Sequence, residues 1–195
     1  YVLLVGDSQF ENTGYGQKFL QRQFEPFVER LGVRGTDPEY WLYDQGLSQL
    51  TTGPMGGAYG LVIISLGGNG IKSAKQLAQK LSTDLPQQTK IIWIGPPPMA
   101  FNADYKNKRY SYDTHNKGRK DRASKLAGLV GSYVDLYINP FEVIGDTYEC
   151  NRSDKKKGHC DGVHLKGRHA ANFLKEAGLL TELDFTDYTQ RSEQE

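Results

Sequence analysis

Apolar residues in this chain follow two rhythms that alternate from one end to the other. Residues 1–5 (YVLLV), 61–65 (LVIIS) and 91–94 (IIWI) are short continuous apolar runs, each with a glycine no more than two positions beyond it. Runs apolar on both faces read as strands covered from both sides, as in a parallel sheet. Between them the spacing changes. Phe19, Leu20, Phe24, Phe27, Val28 and Leu31 recur at three- and four-residue steps, which predicts a helix over 15–31 that Pro26 kinks or splits. Ile71, Ala74, Leu77, Ala78 and Leu81 form a second helical stripe. Residues 119–131 and 165–179 read as two more helices, 40–43 as a weaker strand and 134–138 as the last strand. The alternation predicts an α/β fold: a three-layer α/β/α sandwich around a five-stranded parallel sheet, with right-handed crossovers and its site at the carboxyl ends of the strands.

The 195 residues suit one domain able to bury its own core, expected over 1–180, with 181–195 as a polar, acidic extension. A hydrophobic fraction of 37% and an aromatic fraction of 11% exclude a disordered chain. A net charge of +1 provides no overall field for nucleic acid or a membrane surface. No apolar run approaches the roughly 18 residues of a membrane-spanning helix. The sequence opens on Tyr1 rather than Met, as expected of a processed or excised piece. Its two cysteines, Cys150 and Cys160, flank a short polar loop. They read as a local disulfide in an oxidising compartment or as two free thiols. Zinc binding with His159 lacks a full set of four ligands, so no metal is expected.

Four short signals carry chemistry. Gly6-Asp7-Ser8 follows the first strand, where a serine hydroxyl can face a substrate and its amide a developing oxyanion; by itself it reads first as a helix cap. Gly46, placed just after the expected second strand at 40–43, can offer a further amide, or is simply a turn glycine. Gly67-Gly68-Asn69-Gly70 follows the run at 61–65 and exposes the Asn69 side-chain amide as another donor, or as an N-cap. Asp161-Gly162-Val163-His164 precedes the closing helix. A carboxylate three residues before a histidine can accept from one imidazole nitrogen while the other faces a serine as general base. Alone, this is a helix-start Asp beside a surface His.

Taken in order, GDS, Gly46, Gly67-x-Asn69 and Asp161-x-x-His164 resemble blocks I, II, III and V of the SGNH (GDSL-like) hydrolase superfamily, over residues 6 to about 178. Gly95-Pro96-Pro97-Pro98 is similar to the segment many members carry there. The resemblance implies a flavodoxin-like SGNH fold, Ser8 as nucleophile, His164 as general base and acid, and Asp161 as its orienting partner. It also implies an oxyanion hole made of the Ser8 and Gly46 amides and the Asn69 side chain, with no cofactor. Two positions depart from the family pattern: block I reads GDSQ rather than GDSL, and Gly70 follows Asn69 where many members have Asp.

The implied activity is ester hydrolysis through an acyl-enzyme. Residues 100–120 carry Tyr105, Tyr110 and Tyr112 among Lys106, Lys108 and Arg109, a pattern suited to stacking on a sugar or to a solvated loop. A second basic cluster, Arg152 with Lys155, Lys156 and Lys157, lies in the loop between the cysteines. No long apolar lid segment is apparent. The preferred reading is an acetylesterase acting on a carbohydrate or peptidoglycan, outside the cytoplasm. The alternatives are a lysophospholipase or thioesterase, a sugar O-acetyltransferase, and a glycan-binding module without activity. Nucleic-acid binding is a weaker rival, because the basic clusters are local and no recognition motif accompanies them.

Overall fold

Four parallel ladders join five strands into a single sheet in the computed structural model, which describes residues 1–11, 14–43, 59–105, 109 and 111–180. The strands are β1 (Val2–Gly6), β2 (Val28–Gly32), β3 (Leu61–Ser65), β4 (Lys90–Ile94) and β5 (Leu136–Ile138), in the order β2-β1-β3-β4-β5. Leu4 lies opposite Ile63 on one side and Arg30 on the other, and Ile63 opposite Ile92. This is the flavodoxin-like order. Its connection changes direction between β1 and β3, the place where open α/β sheets leave a crevice for ligands.

Alternation along the strands divides the core into two layers. Leu3, Val5, Val62, Ile64, Ile91 and Trp93 face a layer completed by α2 (Pro38–Tyr43), α3 (Ala74–Asp84) and α4 (Tyr112–Val130). Leu4, Ile63, Ile94 and Ile138 face the other layer. It is built from a π-helical stretch, Gly16–Gln21, with its continuation α1 (Arg22–Phe24), and from α7 (Gly167–Glu176). Two short helices, α5 (Pro140–Ile144) and α6 (Arg152–Lys156), join β5 to α7. The three-layer α/β/α sandwich with a five-stranded parallel sheet is thus the fold of this chain.

Two elements differ from the sequence expectation. The helix over 15–31 ends at Phe24, and Val28–Gly32 is the edge strand β2. Pro26 has no N–H to continue a helix and restricts the residue before it, so the chain leaves the helix there. The expected strand at 40–43 is the helix α2. Asp37 caps it by accepting the Tyr40 N–H at 3.0 Å, and Pro38 occupies its first turn. Trp41 from α2 is buried, and its indole N–H donates to Thr36 Oγ1 at 3.1 Å. The second strand therefore precedes α2, and α2 is the last described element before Gly46. Gly46, Tyr110, Lys106, Lys108 and the expected extension 181–195 lie outside the described residues.

Ile63 sits mid-strand at the centre of the sheet with no solvent exposure. Ile63→Ala should cost about 3–5 kcal/mol, because close packing leaves the neighbours little room to collapse into the cavity. Urea unfolding of the two proteins measures the difference.

Candidate active site

The end of β1 is shaped to present Ser8. A side chain at Gly6 would place its Cβ 2.6 Å from the Ser65 carbonyl oxygen, so only glycine lets β1 and β3 meet there. Asp7 donates its backbone N–H to that same oxygen at 3.2 Å, and its carboxylate Oδ1 accepts the Gln9 N–H at 3.0 Å. These bonds turn the chain into a short 3-10 segment, Ser8–Phe10, with Ser8 as its first residue.

The loop before α7 delivers the histidine. Asp161 Oδ1 accepts the Val163 N–H at 2.8 Å and the His164 N–H at 2.7 Å, closing the loop on itself. Gly162 takes φ +81°, and a Cβ there would collide with the Tyr105 hydroxyl and with Ala103. Asp161 Oδ2 is 2.8 Å from His164 Nδ1 and 3.2 Å from Lys166 Nζ. On the far side of the ring, Nε2 is 2.9 Å from Ser8 Oγ. Three side chains from two distant segments thus form one continuous chain of hydrogen bonds. A carboxylate against Nδ1 holds the proton on that nitrogen and leaves Nε2 as the acceptor for the serine hydroxyl. Burial works to raise the Asp161 carboxyl, but the bonds and charge of His164, with Lys166, hold it well below the usual carboxylate range. It stays ionised wherever the imidazole is neutral.

Ser8 and Asn69 line one cavity of about 50 Å³, which also reaches Asp7, Gln9, Arg119 and Arg122. Asn69 follows β3 across the switch point. One N–H of its side-chain amide donates to the Thr36 carbonyl at 3.2 Å, which leaves the other N–H for the cavity. The Gly67 turn beneath it has φ +135° and packs against Pro96 and Leu126.

The tyrosines of the 100–120 segment are placed differently from one another. Tyr105 is half-buried, and its hydroxyl lies 2.7 Å from the Ala100 carbonyl oxygen and 3.1 Å from that of Gly162, so it braces the histidine loop. Burial pushes its phenol up to about 12. Tyr112 stacks loosely beside it at 6.3 Å between ring centres, and Arg109 is exposed. Cys150 and Cys160 are disulfide-bonded, closing a ring around α6 whose last member adjoins Asp161. Asp154 inside that ring caps α6 together with Asn151 and accepts from Arg168 and His169 of α7. The lysines 155–157 are exposed, and Lys155 lines a groove with Tyr105 and Cys160. Among the described residues there is no cluster of His, Cys, Asp and Glu able to hold a metal ion, and no helix long and apolar enough to cross a membrane.

Four site residues escaped the sequence reading. Arg119 is buried in α4, and its Nη1 donates to the carbonyls of Pro97 (3.2 Å) and Val163 (2.9 Å). Arg122 donates to the carbonyls of Gly67 (2.7 Å) and Gly68 (2.9 Å), shaping the Asn69 turn. Asn116 accepts the Met99 N–H at 2.8 Å. Gln9 bonds the histidine loop from below. The spacing signal for two of them was present. Asn116 and Arg119 fall with Ala123, Leu126 and Val130 on one buried stripe of α4, which runs polar at its site end, but nothing in the stripe names their backbone partners.

No protein-family model matches this sequence, and no curated protein does. Solved structures share its fold. A protein described as a platelet activating factor from Streptococcus pneumonia aligns with a TM-score of 0.63 at 18% identity, over 91% of this chain and 81% of its own. One described as an arylesterase from Agrobacterium tumefaciens str. C58 aligns at 0.58 and 18%, over 91% and 95%. A carbohydrate acetylesterase family member from Sinorhizobium meliloti aligns at 0.55 and 16%, over 95% and 99%.

Asp7 yields a test of the electrostatics. It is buried directly beneath the site, and burial raises its carboxyl from the ordinary 3.8 to about 6, against the opposing pull of the Gln9 amide, Arg119 and His164. A carboxyl raised on folding favours the folded state most when protonated. Stability is therefore greatest below about pH 4 and falls as pH rises through 6, by about 3 kcal/mol for this group. Asp7→Asn, which keeps an oxygen for the Gln9 N–H, should be more stable than the parent at pH 7.5 and should lose that advantage at pH 4. Denaturant unfolding at both values measures it.

Proposed function

We propose that this chain is a serine ester hydrolase that removes small acyl groups, acetyl foremost, from a carbohydrate or peptidoglycan carrier. The observation that carries the reading is the unbroken Asp161–His164–Ser8 chain, with 2.8 Å and 2.9 Å at its two side-chain contacts. In this reading Ser8 Oγ bonds to the acyl carbon while its proton passes to His164 Nε2. The tetrahedral intermediate collapses, the ester C–O bond breaks, and the leaving alkoxide takes the proton from His164. Water repeats the sequence on the acyl-enzyme, with His164 as base, and frees the acid. Asp161 remains ionised throughout and favours the imidazolium that forms twice in each cycle. The Ser8 amide and the unengaged Asn69 N–H are the oxyanion donors, with the Gly46 amide as a third outside the described residues.

The polar setting of Ser8 supports a small acyl group. Among the described residues, Asp7, Gln9, Asn69, Arg119 and Arg122 make up much of the lining of its cavity, which suits an acetyl group better than a long apolar chain. The glycan carrier is supported by the open, polar setting of Tyr112 and Arg109, and by the fold shared with a carbohydrate acetylesterase family member. The Cys150–Cys160 disulfide supports a place outside the cytoplasm, where such bonds persist.

Turnover of p-nitrophenyl acetate, butyrate and octanoate tests the reading. Acetate should be the best substrate, with kcat/KM falling steeply along the series. Ser8→Ala should lower kcat/KM on acetate by at least about 10³-fold, and Asn69→Ala should lower kcat by about 10²–10³-fold. Equal or rising activity on octanoate would point to a lipase or lysophospholipase. No Ser8-dependent turnover on any of the three would overturn ester hydrolysis.

A further inference from the structure

We propose that Gln9 is a positioning residue for His164, a strap that ties the segment carrying the nucleophile to the loop carrying the base. This rests on the hydrolase reading above. Gln9 is 4% exposed, and its side-chain amide bonds both neighbours of the histidine. Nε2 donates to the Val163 carbonyl at 3.1 Å, and Oε1 accepts the Leu165 N–H at 3.0 Å. The residues before and after His164 are thus held by one planar group, and Gln9 itself directly follows Ser8. Its own N–H is fixed by Asp7 Oδ1 at 3.0 Å, so the strap is anchored at both ends. The Val163 carbonyl receives a second donor, Arg119 Nη1, at 2.9 Å.

The geometry decides what the strap controls. Asp161 sets the rotation of the imidazole from within its own loop, through the Val163 and His164 amides and through Nδ1. None of those bonds sets how far the loop stands from Ser8. Among the described residues, the Ser8–His164 contact is the only other side-chain bond between the 3-10 segment and the histidine loop. A displacement of about 1 Å at such a contact is enough to lower a rate by about 10²-fold. An apolar residue of the same size fills the space but makes neither bond, and it leaves the Leu165 N–H buried without a partner.

The test compares Gln9→Met and Gln9→Glu with the parent, in each case after circular dichroism shows a folded protein. Three readouts are taken: p-nitrophenyl acetate kinetics, the rate at which a fluorophosphonate labels Ser8, and the NMR signal of the His164 Nδ1 proton. In Gln9→Met, kcat and the labelling rate should both fall about 10–100-fold, KM should change less than about twofold, and the Nδ1 proton should broaden through faster exchange. Gln9→Glu keeps the acceptor for the Leu165 N–H. It can donate to the Val163 carbonyl only when protonated, so its activity relative to the parent should rise as pH is lowered from 8 to 6. A purely structural role would produce no such pH-dependent recovery. Folded variants with parental labelling, kcat and Nδ1 signal would overturn the strap. A parent that neither turns over acetate nor takes the label would instead count against the hydrolase reading, and the Nδ1 signal would still decide the strap: lost in Gln9→Met it stands, unchanged it falls.

Discussion

The site depends on one carboxylate making several bonds at once. Asp161 accepts two backbone N–H groups on Oδ1 while Oδ2 faces the His164 ring and Lys166. The first pair folds the chain so that the histidine three residues on returns over its own aspartate. The second fixes which imidazole nitrogen bears the proton. Leu165 anchors the end of the loop in the core, and the charge-assisted bonds order the residues before it. Gly162 makes the turn sterically possible, and the Tyr105 hydroxyl occupies the space a side chain there would need. The disulfide fixes the approach by tethering Cys160 to the end of the preceding segment.

The surroundings of this loop are polar beneath the surface, which is costly unless every group is matched. Here the matching is systematic. Arg119 and Arg122 lie one turn apart on α4 and direct their guanidinium groups at main-chain carbonyls on both sides of the crevice: Pro97 and Val163 for one, Gly67 and Gly68 for the other. The arginines therefore hold the turns after β3 and β4 and the histidine loop in one frame, from a helix whose other end is ordinary apolar core. Asp7 supplies the compensating negative charge within that frame, and its raised carboxyl is the strain left by placing an acid there.

Most of the architecture was legible because its strands are apolar on both faces, which only a sheet covered twice can satisfy. β1, β3 and β4 stood out for that reason. β2 did not, since Val28-Glu29-Arg30-Leu31 is an edge strand with charged positions, and its apolar residues continued a helical spacing across Pro26. α2 was misread because the aromatic run Tyr40-Trp41-Leu42-Tyr43 outweighed the cap signal of Asp37-Pro38. Ser8, Asn69, Asp161 and His164 were legible from order and spacing, and the structure gathers them at the β1–β3 switch point. Gln9, Arg119 and Arg122 were not, because a buried polar side chain looks like a surface residue until its partners are known, and those partners are backbone atoms far away in sequence.

The polarity of the crevice bears on selectivity as much as its size does. A longer acyl chain binds better only where each added methylene is removed from water onto apolar surface, at about 0.8 kcal/mol apiece. Around Ser8 the walls include Leu66, Pro96, Pro97 and Val163, but much of the lining is polar: Asp7, Gln9, Asn69, Arg119 and Arg122, whose hydrogen-bonding groups are held in place by the frame itself. A methylene laid against them displaces water from polar atoms and gains little. Widening the cavity by truncating one of these side chains would break bonds to Val163, Leu165 or Gly67 that position the site. The polarity around Ser8 and the alignment of the histidine therefore come from the same residues, and neither can be altered without disturbing the other.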